Sequence, residues 1–216
     1  MSIEKLSPEV AALLVVDLQN DYCDKNGLMA ERGFDVGAIP EMVSRLETLV
    51  EAARQTHVPV IWIQTTHDET TNSRVWLARK SPDLTAESPP PSNCWTGTWG
   101  AEPYQLIPGP GDPVITKHRY SAFAGTSLVW TLRGLGRESL LITGVSTEAC
   151  VESTLRDGLF HDFHVNLVED CCSSYSREAH EATVRNARNL FGLVLTSEQV
   201  MSQWLPETVR PPVRQG

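Results

Sequence analysis

Residues 140–158 restrict the fold of this chain more than any other stretch: Leu-Leu-Ile-Thr-Gly-Val-Ser-Thr-Glu-Ala-Cys-Val-Glu-Ser-Thr-Leu-Arg-Asp-Gly. The apolar and β-branched run 140–143 reads as a buried strand. Gly144 is expected to end it, and Ser146 or Thr147 to cap a helix whose first turn carries Cys150. Strand, glycine turn and helix in succession are how α/β folds present a reactive group. A thiol at a helix N-terminus feels the positive end of the dipole beside free N–H groups, which favours the nucleophilic thiolate. Read alone, Cys150 fits a buried structural cysteine about equally well, because free cysteines are mostly buried and inert. Partners have to decide between the two readings.

The flanking sequence extends the α/β pattern. An apolar run at 11–16 ends in Asp17, as in a strand covered on both faces. Apolar residues at helical spacing predict an amphipathic helix over 40–55. Strands are expected at 58–64, 114–116, 164–168 and 193–196. Helices are expected at 128–135, from Cys150 to about 160, at 177–190, and from a cap at Ser197 to 204. Such alternation predicts a parallel sheet with helices on both faces. Length 216, with 41% hydrophobic and 21% charged residues, suits one domain over 1–216 with a sizeable core. Only 65–112 breaks the rhythm. It is Pro-rich around 89–91 and contains Trp76, Trp95, Trp99 and Tyr104, so it is expected to pack over a site or a neighbouring subunit. Residues 206–216 read as a tail.

Charge and cysteine usage exclude several classes. The net charge is −9 with no Lys/Arg cluster, which argues against nucleic-acid and membrane-surface binding. The start, Met-Ser-Ile-Glu-Lys-Leu, is too polar for a leader, and no apolar run reaches membrane-spanning length. Five cysteines (Cys23, Cys94, Cys150, Cys171, Cys172) form no CxxC pair, so a reducing, cytoplasmic compartment is expected. Of the adjacent Cys171 and Cys172, one is expected to be buried and the other not.

Asp17, Lys117 and Cys150 all fall at carboxyl ends of predicted parallel strands, where open α/β sheets bind ligands. Each alone has an ordinary explanation: a turn aspartate, a solvated lysine, a core cysteine. Together they make a chemical set. An ammonium lowers the pKa of a nearby thiol, and a carboxylate can take the thiol proton and return it to a leaving amine.

Three ordered motifs carry a resemblance: Leu-Leu-Val-Val-Asp17-Leu-Gln-Asn-Asp-Tyr, Ile-Thr-Lys117-His-Arg-Tyr-Ser-Ala-Phe, and Thr-Gly-Val-Ser-Thr-Glu-Ala-Cys150-Val. By these the chain resembles the isochorismatase-like cysteine hydrolases along nearly its whole length. The resemblance implies a Rossmann-like α/β/α sandwich with a six-stranded parallel sheet in the order 3-2-1-4-5-6, and an Asp17–Lys117–Cys150 triad. It also implies a cis peptide between Val145 and Ser146 that turns the N–H groups of Ser146 and Cys150 into an oxyanion hole. Isochorismatases proper lack the cysteine, so vinyl-ether hydrolysis is disfavoured. Nicotinamidases carry an Asp-x-His metal motif after the second strand; here that region reads Gln64-Thr-Thr-His67-Asp-Glu. His67 is therefore read as a hydrogen-bonding pocket residue, with no metal and no cofactor expected.

The segments 110–123 and 150–160 are most similar to the ureidoacrylate amidohydrolase branch, near biuret and triuret hydrolases, although Glu148 stands where Asn or Asp is common. The resemblance thus implies a small ureido or carbamoyl substrate and a homodimer or homotetramer. The alternatives are a nicotinamidase-like amidase and a non-catalytic binding member. Tyr22, Gln64, His67, Arg119, Tyr120 and Phe123 are the candidate substrate contacts, Arg119 as a partner for a substrate carboxylate.

Overall fold

A computed structural model describes residues 6–79 and 92–205. The proline run at 89–91 and the tail at 206–216 lie outside them. Six strands, β1 Ala11–Val16, β2 Val60–Thr65, β3 Val114–Lys117, β4 Ser139–Val145, β5 His164–Ser173 and β6 Leu193–Leu195, form one sheet ordered β3-β2-β1-β4-β5-β6. Every pairing is parallel. The helices in chain order are α1 Asn20–Cys23, α2 Leu28–Glu31, α3 Ile39–Gln55, α4 Arg74–Ala78, α5 Leu128–Gly134, α6 Glu152–Phe160, α7 Arg177–Asn186 and α8 Ser197–Trp204.

β1 shows why the sheet is covered on both sides. Successive side chains of a strand point to opposite faces. Ala11, Leu13 and Val15 enter a core shared with α3 and α8, and Ala12, Leu14 and Val16 one shared with α5, α6 and α7. The predicted helix over 40–55 is α3, whose Met42, Val43, Leu46, Leu49, Val50 and Ala53 are buried against the sheet. Among the described residues no helix is long and apolar enough to cross a membrane.

Several local expectations are corrected. Gly144 does not end β4. The strand runs on to Val145, and Gly144 lies in it at φ +109°, where a Cβ would run into the Val16 carbonyl oxygen. Only glycine permits that close approach. β5 extends well past 168, because the ladder slips: Ile142 pairs with Leu167 but Gly144 pairs with Cys172. The extra residues of β5 form an irregularity there. Cys171 and Cys172 are both buried, one in each core, because helices cover both faces of β5. Finally, Thr196 rather than Ser197 caps α8, in a reciprocal capping box with Gln199.

Chain order and sheet order together locate the ligand crevice. From β1 the chain moves outward through β2 to β3, and from β4 it moves the opposite way through β5 to β6. The carboxyl ends of β1 and β4 therefore flank the switch point of the sheet.

Candidate active site

Four strand ends deliver the site. Asp17 follows β1 directly, in the left-handed region at φ +52°. Thr65 ends β2 and Lys117 ends β3, paired with each other across the ladder. On β2 and β3, Ile61, Ile63 and Ile115 belong to the same core as Cys150, and strand alternation carries Thr65 and Lys117 onto that face. Cys150 lies in a π turn, Thr147–Val151, between β4 and α6. The turn is not capped as expected: Ser146 makes no side-chain cap, and the Thr147 hydroxyl instead meets His180 Nδ1 at 2.9 Å.

These side chains form a closed hydrogen-bonded cluster. Lys117 Nζ donates to Asp17 Oδ2 at 2.7 Å, to Thr65 Oγ1 at 2.6 Å and to the Arg119 carbonyl at 3.0 Å, and lies 3.5 Å from Cys150 Sγ. Thr65 Oγ1 in turn donates to Asp17 Oδ1 at 2.9 Å. Relative exposure is 0% for Asp17, 2% for Thr65, 1% for Lys117 and 6% for Cys150, so water does not screen the cluster. Gln19 braces it: its amide accepts from Thr65 N–H at 2.7 Å and donates to the carbonyls of Thr65 and Ala101, both at 2.8 Å.

Burial alone would lower the Lys117 pKa; the charge of Asp17 leads the opposing effects and holds the ammonium above its ordinary value. The thiol goes the other way. Burial first and the adjacent Asp17 carboxylate second push Cys150 up, against the pull of Lys117. Desolvation thus outweighs the helix-end effect that favours the thiolate. At rest the site holds an Asp17–Lys117 ion pair beside a neutral thiol.

The Val145–Ser146 peptide is cis. Ser146 lines the cavity, and no group among the described residues accepts its N–H.

A cavity of about 350 Å³ opens above this floor. Cys150, Lys117 and Thr65 of this floor line it with Ser146, Tyr22, His67, Arg32 and Glu148, and Trp76, Arg79, Arg119 and Tyr120 form a wall. Tyr22 is held neutral, its pKa raised by burial and by the nearby Cys94, Asp17 and Cys150. His67 is buried, and desolvation, with the nearby Lys117, His118 and Arg79 charges, lowers its pKa to about 4 against an opposing hydrogen bond from Asn72, so it is neutral near pH 7. Among the described residues no three His, Cys, Asp or Glu side chains are grouped to hold a metal ion.

The wall is built on aromatic faces. The Arg79 guanidinium lies 3.7 Å from the Trp76 ring centre, and that of Arg119 lies 4.8 Å from it. Trp76 meets Tyr120 edge-on at 5.0 Å, and Arg79 Nε donates to the Tyr120 hydroxyl at 3.3 Å. Arg119 Nη1 is tied to the carbonyls of Thr71 and His118, at 3.1 and 2.6 Å.

Tyr22, His67, Arg119 and Tyr120 all line the cavity with Asp17's partners Lys117 and Cys150, but two expected contacts do not. Gln64 points away, and its neighbour Thr65 takes the place, because one residue along a strand reverses the face. Phe123 is core: its ring packs on His161 at 5.1 Å and Phe163 at 6.0 Å. Thr65, Gln19, Arg32 and Arg79 were not foreseen. Alternation from Ile61 and Ile63 was the available signal for Thr65; nothing in the sequence brings Arg32 and Arg79 to the same cavity.

Residues 11–199 match the family model described as the isochorismatase domain. A ureidoacrylate amidohydrolase, RutB of Enterobacter sp. (strain 638), is 34% identical over 205 residues, covering 88% of this chain and 87% of that protein. Among solved structures, an isochorismatase family protein from Burkholderia thailandensis is 27% identical with a TM-score of 0.74, over 91% of this chain and 96% of its own. A cysteine hydrolase from Pseudomonas syringae pv. phaseolicola 1448A superposes with a TM-score of 0.76 over 91% of this chain and 92% of its own. At 23% identity that last likeness concerns the fold alone.

Proposed function

Given that the chain belongs to the isochorismatase family of hydrolases, we propose that it is a cysteine-dependent amidohydrolase that cleaves a C–N bond of a small ureido or carbamoyl compound. The observation that carries this reading is the buried contact of Lys117 with both Asp17 and Cys150 at the floor of the cavity. Cys150 gives its proton to Asp17 and attacks the carbonyl carbon. The tetrahedral oxyanion is held by the N–H groups of Ser146 and Cys150; a single such donor is worth about 10²–10³ in rate. Asp17 then protonates the departing nitrogen, and ammonia or an amine leaves. Water, deprotonated by Asp17, hydrolyses the thioester. Throughout, Lys117 balances the negative charge that passes between carboxylate and sulfur.

Cavity size and wall chemistry narrow the substrate. A volume of about 350 Å³ suits a compound of few heavy atoms. Among the described residues Arg79 and Arg119 line it with one acidic residue, Glu148, which favours ureido acids such as ureidoacrylate or an N-carbamoyl amino acid over neutral biuret and triuret. The likeness to a ureidoacrylate amidohydrolase supports the same choice.

Ammonia release measured across ureidoacrylate, N-carbamoyl amino acids, biuret, triuret, nicotinamide and simple aliphatic amides tests the reading. Ureido acids are expected to lead the panel. Preference for nicotinamide or an aliphatic amide over every ureido compound overturns it. We further propose a homo-oligomer, supported by the exposed rings of Trp95 and Trp99 on the 65–112 segment. A light-scattering mass near the 23.9 kDa of one chain contradicts that.

A further inference from the structure

We propose that Thr65 is a positioning residue that fixes how protons are shared among Lys117, Asp17 and Cys150; this rests on the cysteine-hydrolase reading above. The argument is one of donor counting. An ammonium has three N–H donors and no acceptor. Around Lys117 Nζ stand four acceptors: Asp17 Oδ2 at 2.7 Å, Thr65 Oγ1 at 2.6 Å, the Arg119 carbonyl at 3.0 Å and Cys150 Sγ at 3.5 Å. Three short bonds use all three protons, and sulfur holds the longest, shared contact.

The direction of the Thr65 bond follows. Because Nζ can only donate, Thr65 Oγ1 accepts from it and must send its own proton elsewhere. Asp17 Oδ1, at 2.9 Å, receives it. Each carboxylate oxygen of Asp17 thus carries one donor, Oδ1 from Thr65 and Oδ2 from Lys117. The Thr65 backbone is also held from behind, by its paired hydrogen bonds with the Gln19 amide.

This arrangement dictates the exchange when the nucleophile is activated. The S–H bond of Cys150 breaks and an O–H bond forms on Asp17. Each carboxylate oxygen keeps a lone pair that can take the proton, and neutralising Asp17 loosens its hold on Lys117 while Thr65 stays bonded to Oδ1. The released N–H of Lys117 turns to the new thiolate, and the sulfur electron pair is then used to form the C–S bond. No electron is gained or lost overall. Thr65 keeps one ammonium proton and one carboxylate lone pair engaged while the proton passes between Asp17 and Sγ.

The test compares Thr65→Val, which keeps the shape without the hydroxyl, and Thr65→Ser, which keeps the hydroxyl. Two readouts are taken. The first needs no substrate: the pH dependence of Cys150 alkylation by iodoacetamide, followed by peptide mapping. In Thr65→Val the Lys117 proton that Thr65 held is freed for the sulfur, so alkylation is expected to set in about one pH unit lower. The second is steady-state hydrolysis, where kcat is expected to fall about 10- to 100-fold with KM within about threefold, as for loss of a hydrogen bond to a charged group. Thr65→Ser is expected to restore both. Should Thr65→Val not fold, Thr65→Ala carries the same comparison. Superimposable alkylation profiles for the wild-type and hydroxyl-free proteins overturn the proposal, as does Thr65→Ser behaving no better than the hydroxyl-free variant. Absence of hydrolysis by the wild-type protein on every ureido compound refutes the functional reading instead, and leaves the alkylation comparison to decide the role of Thr65.

Discussion

The floor and the wall of the cavity are built on opposite principles. On the floor, Asp17, Thr65 and Lys117 sit at the ends of parallel strands, buried and hydrogen-bonded to one another, so the sheet itself sets their spacing. On the wall, Trp76, Arg79 and Arg119 come from α4 and from segments outside the sheet, and are held by ring stacking and by bonds to loop carbonyls. Buried polar groups with every partner in place are rigid and costly to disturb. Stacked, partly exposed side chains are neither. The chemistry is thus fixed by the fold, and substrate choice is left to parts that the fold does not dictate.

Substitutions should separate the two regions, and the largest effect belongs to the floor. Cys150→Ala should lower hydrolysis at least about 10⁴-fold, as loss of a nucleophile does, while far-UV circular dichroism and thermal midpoint stay near wild type. Next comes Lys117→Met. It leaves the Asp17 carboxylate buried without its cation, so both turnover and stability should be lost, the latter by about 3–5 kcal/mol in urea denaturation. A stability change under about 1 kcal/mol there would mean that the floor is not the rigid unit described. On the wall, Trp76→Ala should raise KM about tenfold with kcat within about threefold, because it removes the platform for two guanidiniums but none of the reacting groups. An equal fall in kcat would erase the distinction between the regions.

The pH response of His67 is a separate test, and it is small near neutral pH. Burial lowers its pKa from 6.5 to about 4 in the folded protein. Its contribution to stability is therefore full above pH 6.5 and declines as the pH falls toward 4, since the unfolded chain takes up the proton first. His67→Gln should flatten that part of the stability profile and leave the profile above pH 7 unchanged.

The same division explains what the sequence disclosed. Asp17, Lys117 and Cys150 were legible because each terminates or follows an apolar strand, and the strand order places those ends together. The sequence pattern ends β2 at Gln64, whereas the strand runs on to Thr65, and a single step along a strand exchanges its faces. Phe123 follows the Lys117 motif closely in sequence, yet its ring is drawn into the core by Phe163 and His161. The sequence pattern ends the fifth strand at 168, before the charged Glu169 and Asp170. In the fold, an irregularity in the ladder lets them pass, and Cys171 and Cys172 return to the two cores. Arg32 and Arg79 carry no local pattern at all; only tertiary folding brings them to one cavity.

The central claim is that one cysteine of five, the one above the Asp17–Lys117 pair, is the nucleophile. All five are free and buried, and Cys150 is the one that lines the cavity. Limited alkylation with one equivalent of iodoacetamide, with peptide mapping and residual hydrolysis measured on the same samples, tests this directly. The account predicts that modification appears first at Cys150, that activity falls in proportion to it, and that a saturating ureido substrate slows both. Earlier modification of Cys23, Cys94, Cys171 or Cys172, or full activity with Cys150 blocked, would contradict it.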